Sequence, residues 1–340
     1  MKSTKKIAII VPNWNGEKVI RNCIDSLLAQ ITTHNMRVVV VENGSRDKSL
    51  DILKGYGDKI LILEERSNLG FAEGVNRGIS WSIENDYEFV GLFNNDAVAD
   101  KEWINSLIEE IDKNNKYGIV TSKIIGPERK IDSTGDFYTI WGLPFPRDRG
   151  KSDDLVSDPK NKEVFSASGG ASLYRASMLK EVGLFDKFFF AYYEDVDISF
   201  RARLYGWKVM YCPKAIVHHK IGHTSSKIKG FTTYQTMKNL PVLLWKNVPC
   251  SLMFKVLPRF MLAYSSFFVS AVERKQFRFA LKGFLMSLLF FPHASLCRIK
   301  NMLNKKVSTK ELSRLIVLDL PPNADKLRIL RDKLRFLFKY

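Results

Sequence analysis

Residues Ile7–Gly16 read IAIIVPNWNG, an apolar run of Ile and Val that ends in a polar turn. Runs of the same kind recur at Met36–Val41, Ile60–Leu63 and Phe89–Phe93. Short runs rich in Ile and Val, separated by stretches with a different period, are typical of parallel strands buried on both faces. The opening segment therefore predicts the first strand of an α/β sheet.

Stretches with helical periodicity separate those apolar runs. Glu17–Gln30 and Gly70–Ile83 each place their apolar residues on one helical face. Alternating strands and helices predict a doubly wound sheet with ligand residues at the carboxyl ends of its strands. The polar segments at these ends are PNWNG from Pro12, ENGSRD from Glu42 and NND from Asn94.

A second informative segment, FFFAYYEDVDISFRARLYGWKVMYCPKAIVHH, spans Phe188–His219. Acidic residues open a predicted amphipathic helix there, and a histidine pair ends a strand-like run. They are Glu194, Asp195, Asp197, His218 and His219. Two interpretations are open: catalytic apparatus, or carboxylates favoured by a helix N-terminus beside histidines that merely end a strand. The acidic segment FNND at Phe93–Asp96 favours the first, since two acidic sites at element ends suggest a nucleotide-diphosphate pocket.

Together these segments resemble the family 2 inverting glycosyltransferases of the GT-A fold type, within a bacterial rhamnosyltransferase-like sub-group. The resemblance covers about residues 5–225 and rests on motifs that occur in the family's order and spacing. The motifs are IAIIVPNWNG (7–16), VVVVENGSRD (38–47), NLGFAEGVNRGI (68–79), FVGLFNNDAV (89–98) and the segment from GGASLYR to VHH (169–219). The resemblance implies a Rossmann-like GT-A sheet and transfer of a sugar from a nucleotide-diphosphate donor, with dTDP-rhamnose as one candidate. The implied acceptor is a saccharide or a lipid-linked sugar in cell-surface polysaccharide synthesis.

The resemblance also implies a set of donor-binding residues. They are Pro12, Asn13, Asn15, Glu42, Asn43, Asn68, Gly70, Asn76, Asn94 and Asn95. Plain turn chemistry accounts for the Asn and Gly residues after the first strand equally well. Glu42 stands where the family usually has Asp, so the nucleoside contact departs from the family pattern.

The metal site implied by the resemblance consists of Asp96 and His218, holding Mg²⁺ or Mn²⁺ against the pyrophosphate of the donor. Asn94 replaces the first acid of the family motif, so Asp96 carries the charge. One or two protein carboxylates suffice for such an ion, because substrate and water fill its other positions.

Catalysis of an inverting transfer requires a carboxylate that removes the proton of the acceptor hydroxyl. We assign this role to Asp195, with Glu194 beside it in the catalytic pair. Arg201 or Arg203 would offset charge on the departing diphosphate. Gly169, Gly170 and Asp197 are the expected acceptor contacts, with a simple bend and a structural carboxylate as the alternatives.

The chain has 340 residues and a net charge of +17, which is unevenly distributed. Residues 231–340 contain 20 Lys and Arg against 5 Asp and Glu, leaving residues 1–230 nearly neutral. We therefore predict a catalytic domain over 1–230 and a basic amphipathic helical region over 231–340. Lys255, Pro258 and Arg259 interrupt its longest apolar run, so a spanning helix is not expected. Association with an anionic membrane surface is expected instead, with a packed helical bundle as the alternative.

Other classes of function share some features with this sequence. A nucleic-acid-binding protein shares the basic charge and interspersed aromatics but has characteristic motifs that this sequence lacks. A catalytically inactive scaffold of a polysaccharide assembly complex and a nucleotidyltransferase remain alternatives. Four cysteines without disulfide or metal spacing, and a start without a signal peptide, predict a cytoplasmic enzyme held peripherally at the inner face of the membrane. The sequence leaves the oligomeric state open.

The stretch Asp132–Glu163 is polar and rich in Pro, Gly and charge. Such composition predicts either a flexible loop at the acceptor site or an exposed insertion.

Overall fold

The structure, a computed structural model, describes residues 4–155, 163–219, 228–322 and 324–333. The chain divides into two compact units. The first comprises Met1–Asp136 and Pro146–Lys227, and the second comprises Phe137–Phe145 and Ile228–Tyr340. The division falls near the predicted position 230, but Phe137–Phe145 groups with the C-terminal residues, which the charge distribution along the chain does not indicate.

Nine strands form the main sheet among the described residues, in the order β3-β2-β1-β4-β10-β6-β11-β5 with β7 paired to β6. A second sheet has the order β12-β8-β9. The strands are β1 Lys6–Asn13, β2 Asn35–Asn43, β3 Ile60–Glu65, β4 Phe89–Phe93, β5 Ala97–Ala99, β6 Tyr117–Ile125, β7 Ile131–Ser133, β8 Asp136–Thr139, β9 Pro144–Pro146, β10 Ala171–Arg175, β11 Lys208–His219 and β12 Ile316–Val317.

Helices α1 to α6 belong to the first unit and α7 to α12 to the second. The helices are α1 Ile20–Leu28, α2 Ser49–Lys54, α3 Gly70–Glu84, α4 Trp103–Ile111, α5 Ala176–Val182, α6 Glu194–Leu204, α7 Phe231–Asn247, α8 Cys250–Glu273, α9 Phe277–Leu289, α10 Phe291–Leu303, α11 Thr309–Ser313 and α12 Asp325–Lys333.

The core of the first unit follows the predicted periodicity. Every residue from Ile7 to Val11 in β1 is fully buried, as expected for a strand covered on both faces. Helix α1 packs its buried residues at a spacing of three and four. They are Ile20, Cys23, Ile24 and Leu27. The predictions of strands at β1 to β4 and of helices at α1 and α3 are confirmed.

The predicted strands β1 to β4 are parallel, but the complete sheet is mixed, because β10 joins it in the opposite direction. This strand runs antiparallel to β4, with Ala171 opposite Phe93 and Arg175 opposite Phe89. It also runs antiparallel to β6. The chain enters β10 at the carboxyl end of β4, so the strand must return in the opposite direction. That entry point brings Gly169 and Gly170 to the edge where the ligand residues were expected.

The stretch Asp132–Glu163 is not a flexible loop where it is described. It contains most of β7, all of β8 and β9, and a single helical turn at Asp153–Leu155. Asp132 and Asp136 are 6% and 8% exposed, and Tyr138 is fully buried. The prediction failed because a polar composition conceals residues whose partners lie far away in the sequence. Residues 156–162 lie outside the described part of the chain.

The second unit is built mainly from α7 to α10. Helices α7 and α9 approach closely at Gly283, where a Cβ atom would lie 2.5 Å from the Tyr234 carbonyl oxygen. Strand β12 pairs with β8 through Ile316 and Tyr138. Asn301 on α10 donates a hydrogen bond of 3.1 Å to Asn247 of α7.

One described helix, α8, is long and apolar enough to cross a membrane by length and composition, with a mean hydropathy of 1.3. Helices α9 and α10 meet the same test only as a pair, and they are bent by 54°. The apolar run treated as interrupted in the sequence analysis thus forms one continuous helix. Pro258 lies inside this helix, where it removes one backbone hydrogen bond.

Candidate active site

A buried polar network lies at the carboxyl ends of β1, β2 and β4. The Asn13 side chain donates a hydrogen bond of 2.6 Å to Oε2 of Glu42. Oε1 of Glu42 accepts a bond of 2.8 Å from the Ser45 N–H. The Asn95 side chain donates to Oδ1 of Asn13 at 2.8 Å. The structure therefore brings three of the predicted donor residues together and fixes both oxygens of the Glu42 carboxylate.

The turn after β1 leaves no room for a side chain at Gly16. A Cβ atom there would overlap Oδ1 of Asn13. Pro12, the residue before the last one of β1, lies opposite Val41. Asn15 is exposed, adopts a φ of 52° and accepts a bond of 2.8 Å from the Arg46 N–H. Asn15 thus ties two loops together at the rim of the network.

Asn43, Asn68 and Gly70 connect the end of β2 to the start of α3. Asn43 donates to the Gly70 carbonyl at 3.0 Å and accepts from the Leu69 N–H at 2.8 Å. Oδ1 of Asn68 accepts from the Gly70 N–H at 2.8 Å. Gly70 has a φ of +82°, and a Cβ atom there would lie 2.5 Å from the Phe190 ring. These residues shape the loop beside the network.

Asn76 was expected to contact the donor, and the structure corrects this expectation. Its side chain donates to the Phe185 carbonyl at 2.8 Å and accepts from the Phe185 N–H at 3.0 Å. Asn76 is 9% exposed. Its amide anchors the buried face of α3, because residue 76 lies on the side of the helix that faces the protein.

The imidazole of His219 contacts two carboxylates, one with each ring nitrogen. Its Nε2 lies 2.9 Å from Oδ1 of Asp96, and its Nδ1 lies 2.9 Å from Oδ2 of Asp132. The three side chains are between 8% and 15% exposed. The Asn94 amide nitrogen lies 3.5 Å from the same Nε2. A carboxylate, an imidazole and an amide thus converge on one position.

His218, the predicted metal ligand, does not reach Asp96. Its Nε2 lies 3.2 Å from Asp100, and its side chain is 56% exposed. Consecutive residues of a strand point to opposite faces, so only one histidine of the pair can face the site. That residue is His219, and the assignment to His218 is corrected accordingly.

The negative charges of Asp96 and Asp132 favour a positive charge on His219, which lies between them. Burial alone lowers the pKa of His219, but hydrogen bonds to Asp132 and Asp96 and their negative charges outweigh burial and raise the pKa to about 9. Burial raises the pKa of Asp132, and the hydrogen bond from His219 and the charge of Arg149 reverse this effect and lower it. The position between Asp96 and Nε2 is therefore suited to a cation.

Asp195 lies at the start of α6 and faces Gly169. Its Oδ2 accepts a hydrogen bond of 2.9 Å from the Gly169 N–H, and its Oδ1 accepts one of 2.8 Å from the Val196 N–H. The carbonyl of the next residue, Gly170, accepts a bond of 2.9 Å from the Asn94 N–H. Two adjacent glycines thus join the Asp195 carboxylate to the segment that contains Asp96.

Asp195 and Asp136 are electrostatically coupled carboxyl groups whose pKa values are both raised. Burial raises the pKa of Asp195 above its ordinary value. Burial, and then the charge of Asp195, raise the pKa of Asp136 well above its ordinary value. Sequence reasoning missed Asp132 and Asp136. The signal in IDSTGD was two acids four residues apart around Gly135, in a stretch we interpreted as a loop.

The backbone before Asp195 is strained. Phe190, Tyr192 and Tyr193 have φ values of 61°, 68° and 71°. Residues other than glycine adopt this left-handed conformation at a cost of about 1–3 kcal/mol each, and such residues cluster at functional sites. Glu194 follows directly and is 6% exposed.

Asp197 and the two arginines of α6 have structural roles. Asp197 is fully buried and accepts a bond of 2.9 Å from Nε of Arg201. Arg201 also donates to the carbonyl of Val182 at 2.7 Å. Arg203 donates to the Phe165 carbonyl at 2.6 Å. These contacts correct the expected roles of Asp197 toward the acceptor and of both arginines toward the diphosphate, because α6 is buried on all sides rather than amphipathic.

The fold is shared with solved glycosyltransferases. The structure of Staphylococcus aureus TarS residues 1–349 in complex with UDP-GlcNAc is similar with a TM-score of 0.55 and 20% identity, over 88% of this chain and 89% of TarS. The mannosyltransferase PcManGT from Pyrobaculum calidifontis, in complex with GDP-Man and Mn²⁺, is similar with a TM-score of 0.55 and 12% identity, over 89% of this chain and 86% of that one.

Relatives with similar sequences are also named as glycosyltransferases. The dTDP-rhamnosyl transferase RfbF of Shigella flexneri is 26% identical over 71% of this chain and 80% of its own length. The N-acetylglucosaminyl-diphospho-decaprenol L-rhamnosyltransferase of Mycobacterium tuberculosis is 27% identical over 58% of this chain and 71% of its own. The poly-beta-1,6-N-acetyl-D-glucosamine synthase of Staphylococcus epidermidis is 25% identical over 62% of this chain, which spans only 48% of that relative.

The sequence profile of Glycosyl transferase family 2 matches residues 8–183, more than half of the chain. The match covers β1 from Ala8 onward, β2 to β4, the FNND segment and β10. This chain belongs to glycosyl transferase family 2 and has the GT-A fold.

Proposed function

We propose that this glycosyltransferase moves a sugar from a nucleotide-diphosphate donor to a saccharide or lipid-linked acceptor, with inversion at the anomeric carbon. The candidate donor is dTDP-rhamnose, and the process is cell-surface polysaccharide synthesis at the cytoplasmic face of the membrane. The names of the rhamnosyltransferase relatives support this choice. The main structural support for this proposal is that Gly169 and Gly170 connect the proposed base to the proposed metal segment. The Gly169 N–H donates to the Asp195 carboxylate, and the Gly170 carbonyl accepts from the Asn94 N–H in the segment that contains Asp96.

The donor nucleotide is proposed to bind at the network of Glu42, Asn13 and Asn95. Ligands of doubly wound sheets bind beyond the carboxyl ends of the strands, where these three side chains lie. Both oxygens of Glu42 are fixed by hydrogen bonds, so its carboxylate can accept from a sugar or base without reorganising.

Asp96 and His219 fit a divalent cation, Mg²⁺ or Mn²⁺. Their ligand atoms are 2.9 Å apart, and Asp132 occupies the other ring nitrogen of His219. A carboxylate with an imidazole oriented by a second carboxylate is a common metal-binding arrangement. Neighbours of the same fold contain Mn²⁺. When bound, such an ion supplies charge stabilisation to the departing diphosphate.

Asp195 is proposed to remove the proton of the acceptor hydroxyl during attack on the anomeric carbon. Hydrogen bonds to Gly169 and Val196 orient its carboxylate. One base without a covalent intermediate gives a single displacement, which inverts the anomeric centre. This assignment explains why the strained segment at residues 190–193 directly precedes the base.

The pH dependence of transfer should report the raised pKa of Asp195. Only the ionised carboxylate can act as a base, so the rate should fall as pH is lowered. Because burial raises this pKa, the midpoint should lie above the ordinary value of 3.8. The check is a pH profile of kcat at saturating metal and donor. A rate that stays constant down to pH 4 would remove Asp195 from this role.

Asp132 is proposed to position His219 through the hydrogen bond to Nδ1. Asp132→Asn should weaken Mn²⁺ binding about 10- to 100-fold, the usual cost of losing an outer partner of a ligating histidine. Titration of the metal followed by electron paramagnetic resonance measures this without turnover. Asp148→Asn is the control, because Asp148 pairs with Thr134 and Lys151 and not with the histidine. Equal Mn²⁺ affinity in both variants would contradict the proposal.

The proposed function is tested by a panel of nucleotide sugars scored for release of the nucleotide diphosphate, with and without a lipid-linked saccharide acceptor. We expect turnover of one donor class, accelerated by the acceptor. An inactive scaffold would turn over none of the donors.

A further inference from the structure

Helices α8, α9 and α10 expose large apolar side chains. Phe254 on α8 is 85% exposed, Leu289 on α9 is 71% exposed, and Leu296 and Leu303 on α10 are 69% and 80% exposed. Single exposed apolar residues are ordinary, but a concentration on three successive helices indicates an interaction surface. We call the exposed apolar residues of α8 to α10 the apolar face of the second unit.

The apolar face follows helical spacing. On α8, Phe254, Leu257 and Met261 recur at intervals of three and four residues and are all exposed. The opposite side of α8 contains Val256 and Phe260, which are buried within the second unit. Helix α8 is therefore apolar on both sides, and only one of them is used by the core of this unit.

The charge around the apolar face is almost entirely positive. Residues 250–303 contain eight Lys and Arg and a single acidic residue, Glu273. The exposed cations of this segment are Lys255, Arg274, Lys275, Arg278, Lys282 and Lys300. Apolar side chains interspersed with exposed cations match the interface of an anionic bilayer, where the apolar groups enter the acyl boundary and the cations meet the headgroups.

We infer that α8, α9 and α10 lie in the plane of an anionic membrane and insert Phe254, Leu289, Leu296 and their apolar neighbours below the headgroups. This inference deepens the membrane part of the proposed function and rests on it. It also goes beyond electrostatic attachment, because the exposed apolar area predicts binding that survives high salt.

An interfacial position fits α8 better than a spanning one. Arg259 lies in the middle of α8, is 8% exposed and donates to the Lys255 carbonyl at 2.7 Å. The buried side of the helix is occupied by protein, so α8 offers only one face to lipid. A second copy of the chain is disfavoured as the occupant, because its own apolar face would bring the same excess of cations.

The test is flotation of the full-length protein with vesicles of phosphatidylcholine containing or lacking phosphatidylglycerol, at 0.1 M and 1 M NaCl. Screening shortens the range of exposed charge attraction from about 10 Å to about 3 Å between these salt concentrations. We expect binding to the anionic vesicles at both concentrations. Complete release at 1 M NaCl, or no binding at 0.1 M NaCl, would overturn insertion.

The triple variant Phe254→Gln, Leu289→Gln, Leu296→Gln removes apolar area without altering charge. Burying a large apolar side chain strengthens binding by about tenfold or more, so the variant should bind anionic vesicles roughly a thousandfold less tightly. The matched control is Ile31→Gln, since Ile31 is 56% exposed in the first unit. The control should bind as the unmodified protein does.

Two further measurements separate the remaining outcomes. Light scattering of the unmodified protein and the triple variant reports association, and a dimer lost in the variant with unchanged vesicle binding would make the apolar face an interface between copies. Donor turnover without vesicles reports the chemistry alone. Loss of vesicle binding with intact turnover defeats the inference, whereas absence of turnover with intact binding defeats the proposed function.

Discussion

Asp195→Asn should lower the rate of sugar transfer by about a hundred- to ten-thousand-fold, the usual contribution of a general base. The amide is nearly isosteric and can still accept from the Gly169 N–H, but it cannot take a proton from the acceptor. Donor affinity should stay within a few-fold, because the proposed nucleotide contacts lie on β1, β2 and the segment after β4. Turnover and calorimetric donor binding measure the two effects separately.

Glu194→Gln is the matched control for this variant. Glu194 is the same kind of residue at the same helix start, but Asp195 is the residue that bonds to Gly169. A rate near that of the unmodified enzyme in Asp195→Asn, with a large loss in Glu194→Gln, would transfer the role of base to Glu194.

His219→Ala should abolish tight binding of Mn²⁺ and weaken donor binding with it. The structure joins His219 to Asp96 at 2.9 Å, whereas His218 pairs with Asp100 and is mostly exposed. Loss of a metal ligand should lower Mn²⁺ affinity by at least as much as loss of a residue that orients the ligand, which is up to about a hundredfold. Metal titration and donor affinity in the presence of Mn²⁺ measure the effect, and Asp96→Ala should reproduce it.

His218→Ala provides an internal control, since it removes the neighbouring histidine of the same strand. It should retain metal and donor affinity within a few-fold. Weak metal binding in His218→Ala and normal binding in His219→Ala would restore the assignment made from the sequence. Full activity of the unmodified enzyme in excess chelator would defeat the metal site altogether.

The strands β1 to β4 could be predicted because their signals are local. Ile7 to Val11 form an uninterrupted β-branched and apolar run, and the polar turn after it marks where the strand ends. The reversed direction of β10 could not be predicted in this way. It depends on where the chain re-enters the sheet after the region of β7 to β9, which is a property of the whole fold.

The choice between the two histidines shows the same limit. Successive side chains of a strand point to opposite faces of the sheet. In a regular strand, every second residue from Val209 and Tyr211 to the end of β11 would therefore share one face. The pairing of β11 with β6 is irregular between Cys212 and Ile216, however, and this irregularity breaks the count. The sequence therefore predicted that a histidine faces the site, but it could not identify which one.

Residues whose roles depend on distant partners were assigned least well. Asp197 and Arg201 resemble site residues in the sequence but pair with each other in a buried helix. Asp132 resembles a loop residue but contacts His219, which lies 87 positions away. Charge patterns along the chain identify ionisable residues and do not identify their partners.

The stereochemistry of the product tests the central claim most directly. Once the donor panel has identified a substrate, nuclear magnetic resonance of the product gives the anomeric configuration of the new glycosidic linkage. A single displacement assisted by Asp195 predicts a product whose configuration is opposite to that of the donor. A product that retains the configuration of the donor would require a second displacement and would contradict the account.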